Sequence, residues 1–280
     1  MTFSIVAYDP REKEWGIAVQ SKFLGVGAVV PFAKAGVGAV ATQSYANTAY
    51  GPQALEWMAQ GKSAEEAMEL ITKDDPDKEM RQVGLIDAAG SAATFTGSAC
   101  YDWAGGVTGK HFAAQGNILV DEKTVKAMAE TFEATEGSLA HRLLQALHAG
   151  QQAGGDSRGQ QSAALLVVKE KGGYGGYNDR FIDLRVDDHP DPINELIRIY
   201  GLQQLYFSKA KSEKIVAVAG EVKETVIQHL KRLDYLKADP ADDAELHQAL
   251  TAYLHTENFE EREQEQGKID LEVLEFMKNQ

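Results

Sequence analysis

The order of hydrophobic patterns along this chain predicts an α+β fold, with antiparallel sheets covered by helices and a small helical bundle at the C-terminal end. Three observations carry that prediction. Strand-like runs come in clusters separated by pairs of amphipathic helices, not in strict β–α–β alternation. Of the 26 glycines, only Gly220 and Gly267 lie beyond residue 208. Lys, Arg, Asp and Glu are also far denser in residues 209–280 than before them. The join is expected around Ser208–Glu213, where Lys209, Lys211 and Lys214 cluster. It divides the chain into a mixed sheet domain, residues 1–208, and a helical module, residues 209–280. A four-layer α–β–β–α sandwich has this grammar, and so does a ferredoxin-like α+β fold.

Taken in order, Thr2–Tyr8 alternates, Asp9-Pro10-Arg11 turns and Trp15–Gln20 returns, which makes a hairpin. Gly27–Ala35 and Val37–Thr42 form a second pair of strands. Ser63-Ala64-Glu65-Glu66 is a capping box, with Ala67, Leu70 and Ile71 on one helical face behind it. Strands follow at Gln82–Asp87, Ala92–Gly97 and His111–Gln115. Amphipathic helices are expected at Asp121–Ala134 and Ser138–Ala149, the second stopped by Gly150. Ala163–Lys169 and Phe181–Val186 form a late hairpin across the glycine-rich turn Gly172–Gly176, and Ile193–Phe207 is helical. In the tail, Val222, Val226, Leu230 and Leu233 recur at helical spacing. Leu246, Leu250 and Leu254 do the same, as do Val273, Leu274 and Met277 behind an Asp270 cap. That is a three-helix bundle.

The 280 residues are 44% hydrophobic and 25% charged, which excludes a disordered or fibrous chain. A net charge of −14 argues against nucleic acid or an anionic membrane as partner. No apolar run is long enough to span a bilayer, and the N-terminus lacks the pattern of a signal peptide. The single cysteine, Cys100, suits a reducing compartment, so a cytoplasmic location is expected. No dinucleotide fingerprint or phosphate loop is present. Gly105–Lys110 matches the latter only superficially, and the seven histidines form no metal-binding pair. No cofactor and no metal are expected.

The informative position is Thr2. Removal of Met1 would leave a threonine carrying both a hydroxyl and a free α-amine, and an α-amine titrates near pKa 7.7–8.0. Such an amine accepts the proton of its own hydroxyl as that oxygen attacks a carbonyl. Other polar groups gather at strand ends: Ser21-Lys22, Thr42-Gln43-Ser44, Gln115-Gly116-Asn117, the run Asp156 to Ser162, and Asn178-Asp179-Arg180. Polarity there is costly unless hydrogen bonds consume it, and convergent polar groups suit a pocket at the edge of a sandwich.

Several segments occur in a telling order: Thr2–Ala7, Val26–Pro31, Gly36–Gln43, Arg81–Gly84, Gln115–Asn117, Gly154–Asp156, Arg158-Gly159, Gln161–Val168 and Asp183–His189. Together they resemble the bacterial and archaeal domain-of-unknown-function family 1028, which is grouped with the N-terminal nucleophile (Ntn) hydrolases. The resemblance spans about residues 1–205. It implies the four-layer α–β–β–α Ntn-hydrolase-like sandwich and puts Thr2 at the nucleophile position; it assigns no other residue a role. The tail, about 220–278, is similar to the peptidoglycan-binding module that follows some members of this family, on Tyr253–Arg262 and Ile269–Leu274.

The expected function is therefore an amidohydrolase cleaving an amide-type C–N bond through a covalent acyl-threonine at Thr2. Asn117 and backbone N–H groups would stabilise the oxyanion. Asp156, held by Arg158 from the same face of an extended segment, would lie within a side chain's reach of Thr2. Ser21, Lys22, Thr42, Gln43, Ser44, Gln161, Ser162, Asn178 and Asp179 would line the site of a small-molecule or peptide-like substrate. A homodimer is expected. The alternatives are a non-catalytic binding protein for a cell-wall fragment or metabolite, and an oligomeric scaffold.

Overall fold

The computed structural model describes residues 2–280, so the expected loss of Met1 lies outside the described residues. Contacts divide the chain into two units, one ending at Arg198 and the other running from Ile199 to Gln280.

The first unit opens with β1 (Thr2–Asp9), β2 (Glu14–Ser21), β3 (Pro31–Lys34) and β4 (Gly38–Ser44). Helices α1 (Tyr50–Ala59) and α2 (Ala64–Thr72) come next, then β5 (Arg81–Asp87), β6 (Ala92–Thr96), β7 (Gly105–Gly109) and β8 (Phe112–Asn117). After them come α3 (Lys123–Ala134), α4 (Leu139–Gln152), β9 (Ser162–Val168), β10 (Arg180–Val186) and α5 (Pro192–Phe207). The strands make a six-stranded sheet, ordered β10-β9-β2-β1-β8-β7, and a four-stranded sheet, ordered β3-β4-β5-β6. Every neighbouring pair is antiparallel.

Strand parity explains what each sheet buries, because successive side chains point to opposite faces. Val6, Ile17, Val19, Ala113 and Leu166 of the larger sheet meet Ala39, Ala41 and Ile86 of the smaller one in a shared core. The other parity of the smaller sheet, Val40, Val83 and Leu85, is covered by Tyr50, Ala54, Met58, Ala67 and Ile71 of α1 and α2. On the larger sheet α3 and α4 do the same work, with the Phe112 and Phe132 rings 5.2 Å apart. Thr2 and Ser4 share the parity of Val6, Gln43 that of Ala41, Gln82 that of Ile86, and Gln115 and Asn117 that of Ala113. The space between the sheets is therefore apolar at one end and polar at the other.

Two local expectations are corrected, at Gly150 and at Gly27–Ala35, and two elements appear that no sequence pattern had marked, α1 and β7. Gly150 does not stop α4 but lies inside it, buried: a Cβ there would sit 2.7 Å from Met128 Cγ and 3.3 Å from the Phe3 ring, so its bareness lets helix and sheet close. Helix α1 begins in Tyr50-Gly51-Pro52, a triplet with the look of a turn. Proline is tolerated in a first helical turn, where no intrahelical N–H partner is needed. The glycine-rich Gly105–Gly109 is an edge strand. The stretch expected as a strand over Gly27–Ala35 is a 3-10 turn at Val26–Ala28, entered through Gly25 at φ 64°, and only then β3.

The second unit holds α6 (Gly220–Arg232), α7 (Asp243–Thr256) and α8 (Leu271–Asn279), with a two-stranded clip of β11 (Ile215–Ala217) and β12 (Lys268–Asp270). Asp242 and Asp270 cap α7 and α8 through their side chains. The core comprises the residues whose helical spacing announced them, among them Val226, Leu230, Leu250, Leu254, Val273 and Met277. Leu205 and Tyr206 pack on this core as well. The division between units thus falls inside α5, ten residues before the shift in composition. Among the described residues no helix is long and apolar enough to cross a membrane.

Candidate active site

Thr2 begins β1 in register with Asn117 of β8, and Ser21 ends β2 on the other side of it. The Thr2 and Ser21 hydroxyl oxygens are 3.1 Å apart and buried. The Thr2 carbonyl accepts from Gln43 Nε2 at 3.3 Å and from Asn117 Nδ2 at 3.5 Å. Behind it lies a web of buried amides. Gln43 Nε2 and Asn117 Nδ2 both donate to Gln82 Oε1, at 2.8 and 2.9 Å. Gln82 Nε2 in turn donates to the Gly116 carbonyl at 2.7 Å and to Thr96 Oγ1 at 2.9 Å. Ser4 Oγ donates to Gln43 Oε1 at 2.6 Å and accepts from Gln115 Nε2 at 2.7 Å. Gly84 makes room for this web: a Cβ on it would fall 2.2 Å from Gln115 Oε1. Amides packed this way leave Thr2 little freedom to move, since each displaced partner would orphan a buried polar group.

A cavity of about 380 Å³ opens over Thr2, Ser21 and Gln43. One wall is Phe23, Val26, Val29 and Val30, from the segment after β2; the other is Ser44 at the end of β4 with Tyr45 and Ala46 after it, and Arg81 beside them. Each wall is tied down. Ser162 accepts from Val26 N at 3.1 Å and donates to the Phe23 carbonyl. Thr42 Oγ1 donates to the Asn47 carbonyl at 3.1 Å, and Arg81 Nη1 donates to the Tyr45 carbonyl at 2.6 Å. Arg81 is itself held by Asp75 at 3.0 Å and by Asp77 at 3.4 Å. Its hydrogen bonds hold the Asp75 carboxyl well below the usual carboxylate range, against the opposing effect of burial, and Tyr50 and Asn47 add further donors. Tyr45 and Tyr101, both half-exposed, bring their hydroxyls within 3.4 Å, which raises the Tyr45 phenol.

Of the residues expected at the site, the structure brings Thr2, Ser21, Gln43 and Ser44 to the cavity and sets Asn117 against the Thr2 backbone. The Asn117 amide donates to Gln82 and to Thr2 itself, so it orients the threonine and has no hydrogen left over for an oxyanion. Thr42 and Ser162 act behind the walls. Asp156 pairs with Arg158 at 3.3 Å, as expected, but through a tight turn in which its carboxylate also accepts Arg158 N, not along an extended segment. Its remaining partner is the Lys22 backbone N–H at 3.0 Å, one residue beyond Ser21, and it does not line the cavity. The Lys22 side chain turns to the Gln160 carbonyl, and that of Gln161 to Asp188.

Asn178 and Asp179 lie elsewhere. Ser21 pairs with Ser162 and Trp15 with Val168, so the β9–β10 connection sits at the far end of β2. Six residues of strand are roughly 20 Å. There Asn178 turns the chain onto Arg180 N, and Asp179 accepts from Ala35 N at 2.9 Å. Ser4, Phe23, Tyr45, Arg81 and Gln82 were not anticipated, and Gln115 was anticipated only as one of the polar groups at a strand end. The three on strand interiors carried a signal: polar side chains at the parity of core valines and alanines. Among the described residues no group of three or more His, Cys, Asp or Glu is placed to hold a metal ion.

Residues 2–196 match the model of a family of unknown function, DUF1028. The chain belongs to that family. A crystal structure assigned to DUF1028, protein SPO2555 from Silicibacter pomeroyi, is 32% identical with a TM-score of 0.66, covering 80% of this chain and 88% of that one. The Anbu (Gly-1) mutant from Hyphomicrobium sp. strain MC1 is 11% identical with a TM-score of 0.34, over 75% of this chain and 99% of that one, a likeness too slight to bear on the argument. Residues 206–277 match a second model, described as "Putative peptidoglycan binding domain". No curated protein matches the chain. The DUF1028 match stops inside α5, two residues short of the division between units, and the second match lies wholly within the C-terminal unit.

Proposed function

We propose that this DUF1028 protein is an amidohydrolase of the N-terminal nucleophile class, acting through Thr2 once Met1 is removed. Its paired sheets, each covered by two helices on the outer face, are then the four-layer α–β–β–α sandwich of that class. The observation that carries the reading is the placement of Thr2: first residue of a central strand, backbone clamped by two amides, hydroxyl at the floor of an open cavity.

The chemistry follows from that placement. Thr2 Oγ attacks the amide carbonyl carbon while its proton passes to the α-amine, which is largely unprotonated above about pH 8. The C–N bond breaks and the departing amine takes the proton from the Thr2 ammonium. Water then attacks the acyl-threonine ester, giving its proton to the same amine, and the acid departs as Thr2 Oγ regains a proton. Ser21 Oγ, 3.1 Å away, holds the hydroxyl in line. Intact mass and electrophile labelling test the reading. The mature chain is expected to lack Met1, and a β-lactone is expected to acylate Thr2 and to leave Thr2→Ala unmodified. A retained Met1, or labelling that survives Thr2→Ala, removes the mechanism.

A second reading, a non-catalytic binding protein for a cell-wall fragment, rests on the match of residues 206–277. Sedimentation with purified peptidoglycan that persists in Thr2→Ala and is lost on removing the C-terminal unit would favour it.

A further inference from the structure

Both walls of the Thr2 cavity carry hydrocarbon above a polar floor of Thr2, Ser21 and Gln43. Phe23, Val26, Val29 and Val30 present hydrocarbon on one side, and the Tyr45 ring and Ala46 methyl continue it on the other. The charged side chain among the lining residues is Arg81, and it is not an anion receptor. Its Nε and Nη2 face Asp75 and Asp77, and Nη1 donates to the Tyr45 carbonyl, so two carboxylates balance one guanidinium. An acyl chain ending in a carboxylate would leave water here for a wall without a counter-charge, and one ending in an ammonium would meet hydrocarbon. The volume, about 380 Å³, has room for a branched or aromatic group with its amide. At the mouth Phe23 and Tyr45 stand half-exposed, with the Tyr101 ring 6.2 Å from that of Tyr45.

We infer that the substrate of this site is an amide of an uncharged, apolar carboxylic acid, branched-aliphatic or aromatic, whose acyl group lies against the Phe23–Val30 wall with its carbonyl over Thr2. The inference rests on the reading of Thr2 as nucleophile. Specificity is then set by the segment between β2 and β3, which Ser162 fixes from beneath, and not by the polar residues at the floor. One methylene in an apolar pocket discriminates by about tenfold or more, so the walls suffice to choose an acyl group.

Binding to a chain that cannot react separates this inference from the nucleophile reading. In the Thr2→Ala protein, affinities for phenylacetamide, isovaleramide and succinamate are to be measured by ligand-observed NMR. The first two are expected to bind at least about tenfold more tightly than succinamate. Adding Val29→Asp, at a half-buried position, or Phe23→Ala, at a half-exposed one, is expected to erase that preference while the melting temperature holds. Equal binding of all three amides, or a preference for succinamate, overturns the acyl assignment whatever Thr2 does. A preference that survives both wall variants overturns its location. If the apolar preference appears as expected but β-lactone fails to label Thr2 in the mature chain, the nucleophile reading falls and the apolar ligand stands.

Discussion

Thr2 and Ser21, nineteen residues apart on adjacent strands, bring their hydroxyl oxygens to 3.1 Å at the floor of the cavity. The contact needs no long-range accident, since β1 and β2 are a hairpin and Phe3 pairs with Gln20, which sets the strand ends side by side. Removing the partner hydroxyl lets the Thr2 side chain sample rotamers that point away from a substrate carbonyl. Ser21→Ala is expected to slow Thr2 acylation by up to about tenfold, the worth of one hydrogen bond of ~0.5–1.5 kcal/mol, with the melting temperature nearly unchanged. Second-order labelling rates measure this, and an unchanged rate would take Ser21 out of the site.

Gln82 is the hinge of the buried amide web, because its oxygen takes one hydrogen each from Gln43 and Asn117. Gln82→Leu leaves one hydrogen of each amide without its acceptor in a buried space, while the other still reaches the Thr2 carbonyl. The expected cost is about 2–5 kcal/mol, from two unsatisfied groups at ~1–3 kcal/mol each, and it is read as a fall in the chemical-denaturation midpoint. Gly84→Ala probes the same web sterically. A new methyl 2.2 Å from Gln115 Oε1 has to push that side chain off Ser4, for an expected cost of about 1–3 kcal/mol.

How much of this was open to sequence reading depends on periodicity. The β1–β2 hairpin was legible because both runs alternate around a tight turn, which brings the Ser21 end of β2 to Thr2. Asn117 was marked only as a polar strand end, and its place opposite Thr2 comes from the β1–β8 pairing, which no local pattern announced. The same logic misfires when a polar strand end is taken as near the site without asking which end it is. Ser162 and Asn178 flank the same strand, β9, but its length separates them. The walls were out of reach for another reason. Phe23 and Tyr45 sit in irregular segments, where no period marks a direction, and Arg81 matters through Asp75, Asp77 and the Tyr45 carbonyl. In α4, Gly150 carried a real signal of the wrong kind, a close approach where a helix stop was expected.

Asp75 gives the site an acid limit. Arg81, Tyr50, Asn47 and the Asp77 backbone all favour its charged form, so its folded pKa lies below the unfolded value near 3.8. A depressed carboxyl contributes stability that is complete above the unfolded pKa and disappears as pH falls through the folded one. The wild-type melting temperature should therefore drop as pH falls below about 4. Asp75→Asn should melt lower at pH 7, and its deficit should shrink steadily between pH 4 and pH 2.5. Parallel curves would mean that Asp75 contributes nothing to the acid response.

In the C-terminal unit the residue to remove is Arg262, whose side chain is 1% exposed. It meets Asp270, fully buried, at 2.6 Å and Glu272 at 2.8 Å, while Nε donates to the Leu205 carbonyl and Nη2 to that of Gln204. One guanidinium thus neutralises the cap of α8 and satisfies carbonyls in the last turns of α5, groups that a helix end leaves without partners. Arg262→Met keeps most of the volume but leaves the buried Asp270 carboxylate without its partner, a loss of about 3–5 kcal/mol. Because the residue's partners all lie within residues 199–280, the damage should stay there. Amide hydrogen exchange is expected to quicken across Leu205, Val226, Leu250 and Val273, while β1, β2 and β8 keep wild-type protection. Pairing the change with Asp270→Asn should recover part of the loss, since the orphaned charge goes with it. Uniform loosening of both units would instead show that they unfold together, and that the division inside α5 has no thermodynamic meaning.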